Sequence, residues 1–210
     1  CLRRLYEGGG ADLHALDQLK RTPLHHAAKN GHTAVVLYLL QQGADADAPD
    51  SSDNVPLHYA AAYGWGAVAR LLLAVGQADP NRANNWRVSP LMVASAKGHL
   101  RLVDQLLSLA DHGQRVDVNS RNKDGETLLH GIPAALDSYD IAQQQAGLRL
   151  ARMLARHHAD PAVADVHQQT PLHLLAALEH DHSPEVQAVH VEFAQLLLRD
   201  LRAPPDPQHA

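Results

Sequence analysis

One short phrase recurs along this chain, and a chain that repeats itself at such a spacing must build one small unit several times and stack the copies. TPLHHAA starts at Thr22, VPLHYAA at Val55, SPLMVAS at Ser89, TLLHGI at Thr127 and TPLHLLA at Thr170, at intervals of 33, 34, 38 and 43 residues. A second phrase follows each time: LLQQGAD ends at Asp45, LLAVGQADPN at Asn81, LLSLADHGQRVDVN at Asn119 and LARHHADP at Pro161. LRRLYEGGGAD, which ends at Asp12, is an earlier copy without its first half. A unit this short cannot cover its own apolar face, so its neighbours must do so.

Each half of the unit has a local physical reason. In Thr22-Pro23-Leu24-His25 the Thr hydroxyl can cap a helix whose first position is Pro, where the missing amide hydrogen costs nothing. That helix runs to Gly31. After it, Val35, Val36, Leu39 and Leu40 form an apolar stripe at helical spacing, followed in register by Val68, Ala69, Leu72 and Leu73 and then by Leu102, Val103, Leu106 and Leu107. These second helices are predicted to stop at Gly43, Gly76 and Gly113 in a left-handed cap, with Asp, Asn and Pro turning the chain toward the next unit. The fold class is therefore all-α. An aromatic share of only 4% implies a core of Leu, Val and Ala.

The 33-residue period, the TPLH phrase and the Gly-Ala-Asp phrase together resemble the ankyrin repeat family, over roughly residues 2–200. The resemblance implies an all-α solenoid of helix-turn-helix units joined by hairpin-like loops. It predicts a single array: a partial repeat over 1–16, repeats over 17–49, 50–83, 84–121, 122–164 and 165–200, and a Pro-rich tail over 201–210. The stretch Val116-Asp117-Val118-Asn119 followed by Lys123-Asp124-Gly125-Glu126-Thr127 matches the family's turn best. Two departures stand out. Met92 replaces the His of TPLH, and Gly131-Ile132-Pro133 predicts a short or distorted first helix in the fourth repeat. Leu40 lies 18 positions after Thr22 and Leu198 lies 28 after Thr170, and the extra residues are expected in loops between the helices, within 134–145 and 178–190.

Composition narrows the function. With 18 Lys and Arg against 23 Asp and Glu, and no basic cluster, neither nucleic acid nor an anionic membrane is an expected partner. Cys1 is the only cysteine and excludes an intrachain disulfide, which fits an intracellular, cytoplasmic protein. No stretch is long and apolar enough for a membrane span. A first residue that is not Met is expected of a piece of a longer polypeptide. Sixteen histidines invite a metal reading. The resemblance instead gives His25, His58, His130 and His173 a structural role, bonding neighbouring backbone. Their positions, about 10 Å apart between stacked units, are too far to share one ion. His25-His26 and His157-His158, adjacent in helices, point to different sides, and His180-Asp181-His182 could grip a metal only weakly. No metal or cofactor is expected. Nor is catalysis, because no nucleophile stands beside a base, Ser89 and Thr127 are helix caps, and Gly8-Gly9-Gly10 lacks the lysine of a phosphate loop. Arg149, Arg152 and Arg156 share one helix face, read as solvated.

The resemblance then places the binding surface on the concave side, along the turn tips and the exposed side of the first helices. Matched position by position, the tips carry Gln18, Leu19 and Arg21; Ser51, Ser52 and Asn54; Asn85, Trp86 and Val88; Lys123, Asp124 and Glu126; and Val166, His167 and Gln169. The helix positions are Lys29 and Asn30, Ala62 and Tyr63, and Ala96 and Lys97. Trp86, beside Arg87, is the leading anchor, since a core has no need of a Trp at a turn tip; the alternative is that it packs on the neighbouring tip. Tyr63 is expected close to it, and Trp65 is expected to be structural. The function implied is a protein-protein interaction module or scaffold, with the recognition or targeting arm of a larger enzyme as the alternative.

Overall fold

The computed structural model describes residues 12–108, 116–137, 140–178 and 184–200. The partial repeat before Asp12, the cap expected at Gly113, His180-Asp181-His182 and the tail over 201–210 lie outside them. Helices alternate in pairs: α1 (Pro23–Lys29) and α2 (Thr33–Gln41), α3 (Pro56–Ala62) and α4 (Gly66–Ala74), α5 (Pro90–Ala96) and α6 (Leu100–Ser108). A single 3₁₀ turn (Leu128–Gly131) then leads into α7 (Ile132–Leu136) and α8 (Ile141–Arg156). The last pair is α9 (Pro171–Ala176) and α10 (Pro184–Gln195), which ends in a π turn (Leu196–Asp200). There is no strand among the described residues. The chain divides into two compact units, residues 1–116 and 117–210.

In the first unit the predicted stripes face inward. Leu24, Ala28, Val36, Leu57, Ala60, Ala61, Val68, Leu72, Leu91, Ala94, Val103 and Leu107 are buried. Each such Leu contributes about 1.5–3 kcal/mol by leaving water. The alanines keep α1, α3 and α5 thin enough to stack directly, α1 on α3 and α3 on α5. In the second unit Leu129, Ile132, Leu136, Ala151, Leu154, Phe193 and Leu197 form the core.

Three local expectations are corrected and a fourth holds. The caps differ from glycine to glycine: Gly43 is left-handed (φ +87), but in the next repeat Gln77 takes that conformation (φ 54). Gly76 is small for a different reason, because a Cβ there would lie 2.7 Å from Ala46 Cβ and from the Leu72 carbonyl. Of the residues expected in loops, 141–145 and 184–190 are helical, and 138–139 and 179–183 lie outside the described residues. The helical ones lengthen the second helix, to 16 residues in α8 and 12 in α10 against 9 in α2, α4 and α6. Asp140 starts α8 by accepting the Ala142 amide at 2.9 Å, which explains why a polar stretch became helix. His157 and His158 follow α8 instead of lying in it, and His158 turns left-handed (φ 58). The distorted first helix expected at Gly131-Ile132-Pro133 is present as the 3₁₀ turn before α7, where Pro133 can sit only in the first turn of a new helix.

Candidate functional site

All five turn tips are built alike. Asp17, Asp50, Asn84, Asn122 and Asp165 each point a side-chain oxygen back into the turn, where it accepts two backbone amides. Asp17 takes Leu19 and Arg21 at 2.8 and 2.9 Å, and Asp50 takes Ser52 and Asn54 at 2.7 and 2.9 Å. Asn84 takes Trp86 and Val88 at 3.0 and 3.1 Å, Asn122 takes Asp124 and Glu126 at 3.0 and 2.9 Å, and Asp165 takes His167 and Gln169 at 2.8 and 2.9 Å. The fourth residue of each tip is left-handed: Lys20, Asp53, Arg87, Gly125 and Gln168. Tips are also tied to one another, Ser51 N–H to the Leu19 carbonyl and Asn85 N–H to the Ser52 carbonyl in the first unit, and Val166 N–H to the Asp124 carbonyl in the second. The backbone of each tip is thus fixed, and the two residues after the Asp or Asn present their side chains outward. Sequence reading named those neighbours but missed the Asp/Asn itself, although its recurrence five residues before each TPLH phrase was visible.

These bonds also set the carboxylates. The Arg21 amide, and next to it the Arg21 guanidinium, hold the Asp17 carboxyl well below the usual carboxylate range. The Gln169 amide does the same for Asp165. Burial pushes Asp50 upward, but the Tyr59 hydroxyl (2.7 Å) and the Ser52 and Asn54 amides outweigh it and bring it down. The same contact, after burial, pushes Tyr59 up to about 12.

The tips are anchored to the helices by the TPLH imidazoles. His25 Nε2 donates to the Asn54 carbonyl (3.1 Å), His58 Nε2 to the Val88 carbonyl (2.9 Å) and His130 Nε2 to the Gln169 carbonyl (3.2 Å). A carbonyl can only accept, so Nε2 carries the proton and Nδ1 is left to accept. It accepts the amide of the residue that starts the helix: Thr22 at 3.0 Å, Val55 at 3.2 Å, Thr127 at 3.1 Å. This corrects the capping expectation. At Thr22 and Thr127 the hydroxyl bonds the imidazole instead of the helix amide, and Val55 manages without a hydroxyl. Of the five phrase starts, Ser89, three residues before Met92, is the one that caps with its own oxygen, 3.3 Å from the Met92 amide. Burial drives the pKa of His25 and His58 down.

Rings also join the far ends of the first helices. Trp65 Nε1 donates to the Lys29 carbonyl at 2.9 Å, and one repeat on, His99 Nε2 donates to the Ala62 carbonyl at 3.1 Å. Each ring lies on a left-handed glycine with no room for a side chain: a Cβ on Gly31 would lie 2.8 Å from the Trp65 ring, and one on Gly64 would lie 2.8 Å from His99 Nδ1. Trp65 is therefore structural, as expected, and takes the place His99 holds in the next repeat.

The other predicted residues fall into two groups. Trp86 is 54% exposed, Leu19 50% and Tyr63 49%. Asn85, Arg87, Lys97, Lys123, His167 and Asn30 are also exposed, and Ser52 and Lys29 half-buried. Arg21 differs, because its guanidinium is held on Asp17 at 2.7 Å and is less free for a partner. Tyr63 is not a neighbour of Trp86. It closes the C-terminal end of α3, whereas Trp86 precedes the N-terminal end of α5. The bonds of His58 and His99 show that α3 and α5 run parallel, so the length of a seven-residue helix, about 10 Å, separates the two aromatics. They mark two edges of one strip. Among the described residues no helix is long and apolar enough to cross a membrane.

Two family models match this chain, one described as ankyrin repeats (3 copies) over residues 1–84 and one as ankyrin repeats (many copies) over residues 71–131. The chain is 36% identical over 106 residues, half its length, to the poly [ADP-ribose] polymerase tankyrase of Caenorhabditis elegans, and spans 4% of that protein. Its fold is similar to the crystal structure of the ankyrin repeat protein EF0377 (22% identity, TM-score 0.73, 94% of this chain and 90% of that one). It is similar likewise to an ankyrin repeat domain from Acinetobacter baumannii AYE (24% identity, TM-score 0.75, 95% and 91%).

Proposed function

This chain is an ankyrin repeat domain, a protein-interaction module, and we propose that it holds its partner on the turn tips and the exposed ends of its first helices. One observation carries the reading: Trp86 is held 54% exposed on a tip whose backbone is fixed by Asn84 and by the tip before it. A large apolar ring on a rigid support loses little freedom on binding, which makes it an effective anchor. Leu19, Ser52, Asn85 and Arg87 extend the surface along the tips, and Lys29, Asn30, Tyr63 and Lys97 along the helix ends. Lys123 and His167 occupy the matching positions in the second unit. Replacing Trp86 and Tyr63 together by Ala should weaken partner binding at least roughly tenfold, about 1.4 kcal/mol, with little change in melting temperature. Pulldown with mass spectrometry, followed by titration of the recovered partner, measures this. A sharp fall in melting temperature with unchanged affinity of the folded fraction would make both aromatics structural and move the surface elsewhere.

A second reading, the recognition arm of a larger enzyme, is favoured by the likeness to a polymerase of which the matched stretch is only a small part. The open reading frame that contains this sequence decides it: a catalytic domain in the same frame supports the reading, and its absence ends it.

A further inference from the structure

Charge in the first unit is unevenly placed. The tips and helix ends carry Lys20 and Lys29 in one repeat and Arg87 and Lys97 two repeats on, with a single exposed acid, Asp53, between them. The remaining charges of that strip are engaged: Asp17 holds Arg21 and His26, and the buried Asp50 accepts Tyr59 and two amides. Acids of the same unit lie elsewhere, Asp45, Asp47 and Asp79 in the loops that leave the second helices and Asp104 on α6, among Arg70, Arg82 and Arg101. In a chain of net charge −5 the candidate binding strip is thus locally cationic. The cations also have an order. Repeats one and three each place one at the left-handed tip position (Lys20, Arg87) and one at the end of the first helix (Lys29, Lys97), while the repeat between them offers Tyr63 at that helix end.

We propose that this strip takes an acidic peptide segment with an apolar residue at its centre, lying across the first three complete repeats. The proposal rests on the reading of the tips and helix ends as the binding surface. Stacked first helices are about 10 Å apart, so the two cationic pairs lie about 20 Å from one another, which an extended chain rising about 3.3 Å per residue covers in roughly six residues. The segment therefore carries acidic residues about six apart, one meeting Lys20 or Lys29, which stand at opposite ends of α1, and the other Arg87 or Lys97, at opposite ends of α5, with the apolar side chain in the strip between the edges that Tyr63 and Trp86 mark. Ammonium and guanidinium groups, exposed at Lys20, Arg87 and Lys97 and half-buried at Lys29, steer such a segment and fix its register, and the aromatics remove apolar area from water. A polyanionic nucleic acid fits less well, because four separated cations neutralise few phosphates and the acids of Asp45, Asp47, Asp79 and Asp104 repel the rest.

The test is fluorescence anisotropy on the full chain with three labelled probes: a dodecapeptide pool with Glu or Asp six residues apart around Leu or Phe, the same pool with Lys in place of the acids, and an oligouridine of equal length. The acidic pool should bind and lose affinity at least about tenfold in Lys29→Glu/Lys97→Glu, while Arg101→Glu on α6 leaves it unchanged. If the first variant alters the melting temperature, Lys20→Gln/Arg87→Gln is read instead, with the same expectation. Equal binding of the lysine pool, still lost in the Trp86→Ala/Tyr63→Ala variant, overturns the acidic inference and leaves the surface standing. Acidic-pool binding untouched by either charge variant overturns it too. Preferential oligouridine binding makes the ligand a nucleic acid, and no binding by any pool overturns both the inference and the reading beneath it.

Discussion

The two units solve the same stacking problem with different means. In residues 1–116, where TPLH copies follow at 33 and 34 residues, rings do the joining: His25 and His58 tie helix starts to the next tip, and Trp65 and His99 tie helix ends across Gly31 and Gly64. In residues 117–210, among the described residues, His130 makes such a bond at a helix start, and His190 Nε2 reaches the Leu136 carbonyl at the end of α7 at 3.4 Å. His173, in the last repeat, is exposed and bonds within its own turn to Thr170. That unit also has longer second helices, α8 and α10, which contact each other and bury Leu154 and Phe193. Period is strict where polar bonds must meet at fixed points, and it relaxes where apolar faces, which are not directional, hold the layers.

The largest expected effect compares one imidazole with its counterpart. His58→Ala removes a donor to Val88 and an acceptor for Val55 inside the protein, and leaving buried groups unpaired should cost about 2–4 kcal/mol. His173→Ala, at the same place in the motif, should cost about 1 kcal/mol or less, because water replaces its bonds. Urea denaturation of both variants measures the difference. Equal losses would show that the imidazole serves its own helix and not the join between repeats.

A smaller effect isolates the ring seats. Gly64→Ala and Gly98→Ala introduce the same left-handed strain, φ +71 and +72, of about 1 kcal/mol. At Gly64 the new methyl also meets His99, while at Gly98 nothing lies within 4 Å. Gly64→Ala should therefore be the more destabilising by roughly 1 kcal/mol, read from denaturant midpoints. If the two are alike, the ring simply moves aside and the glycine is there for its backbone alone.

What the sequence made legible follows the same division. The repeat fixed which residues are buried and where each first helix starts, because apolar stripes and Pro at the first helical position act locally. Trp65 was rightly read as structural, yet its bond to Lys29 was not visible, since it joins residues 36 apart. The insertions were read as loops from their Ser, Asp, His and Gln, but in α8 a cap at Asp140 and a buried face of Gly147, Leu148, Ala151 and Leu154 outweigh composition. The distance between Tyr63 and Trp86 was missed because adjacency of repeats says nothing about which end of a helix a residue occupies. The surface itself is named through the resemblance, which matches tips and helix ends position by position.

Acid should act through the first unit before it reaches the carboxylates. Burial lowers the pKa of His25 and His58, with the Asp50 carboxylate pulling the other way at both, and Arg21 and His26 adding to the lowering at His25. A folded pKa below the unfolded value of about 6.5 means that the unfolded chain binds more protons, so stability rises with pH across that interval. The stabilisation is complete above about pH 6.5 and is lost as pH falls from there through the folded values. Asp17, Asp50 and Asp165, also depressed, add their own loss only lower, below about pH 4. Melting temperature should fall between pH 7.5 and 5, and less so in His58→Gln. An unchanged slope in that variant would mean that other groups carry the acid sensitivity.

The smallest expected effect concerns what joins the long helices of the second unit. Arg152 on α8 reaches Glu192 on α10, and this ion pair, with side chains 53% and 43% exposed, would be a tempting account of why two lengthened helices stay together. Magnitudes argue otherwise. An exposed pair is worth about 0–1 kcal/mol after screening and side-chain ordering, whereas burying a Phe such as Phe193 contributes about 1.5–3 kcal/mol. Arg152→Ala should therefore cost at most about 0.5 kcal/mol at low salt and nothing measurable in concentrated salt, where the Debye length falls to about 3 Å. A loss several times larger that disappears on adding salt would make the ion pair the join. The contrast between the units would then lie in directional polar bonds of two kinds, and apolar packing would no longer explain why the period relaxes.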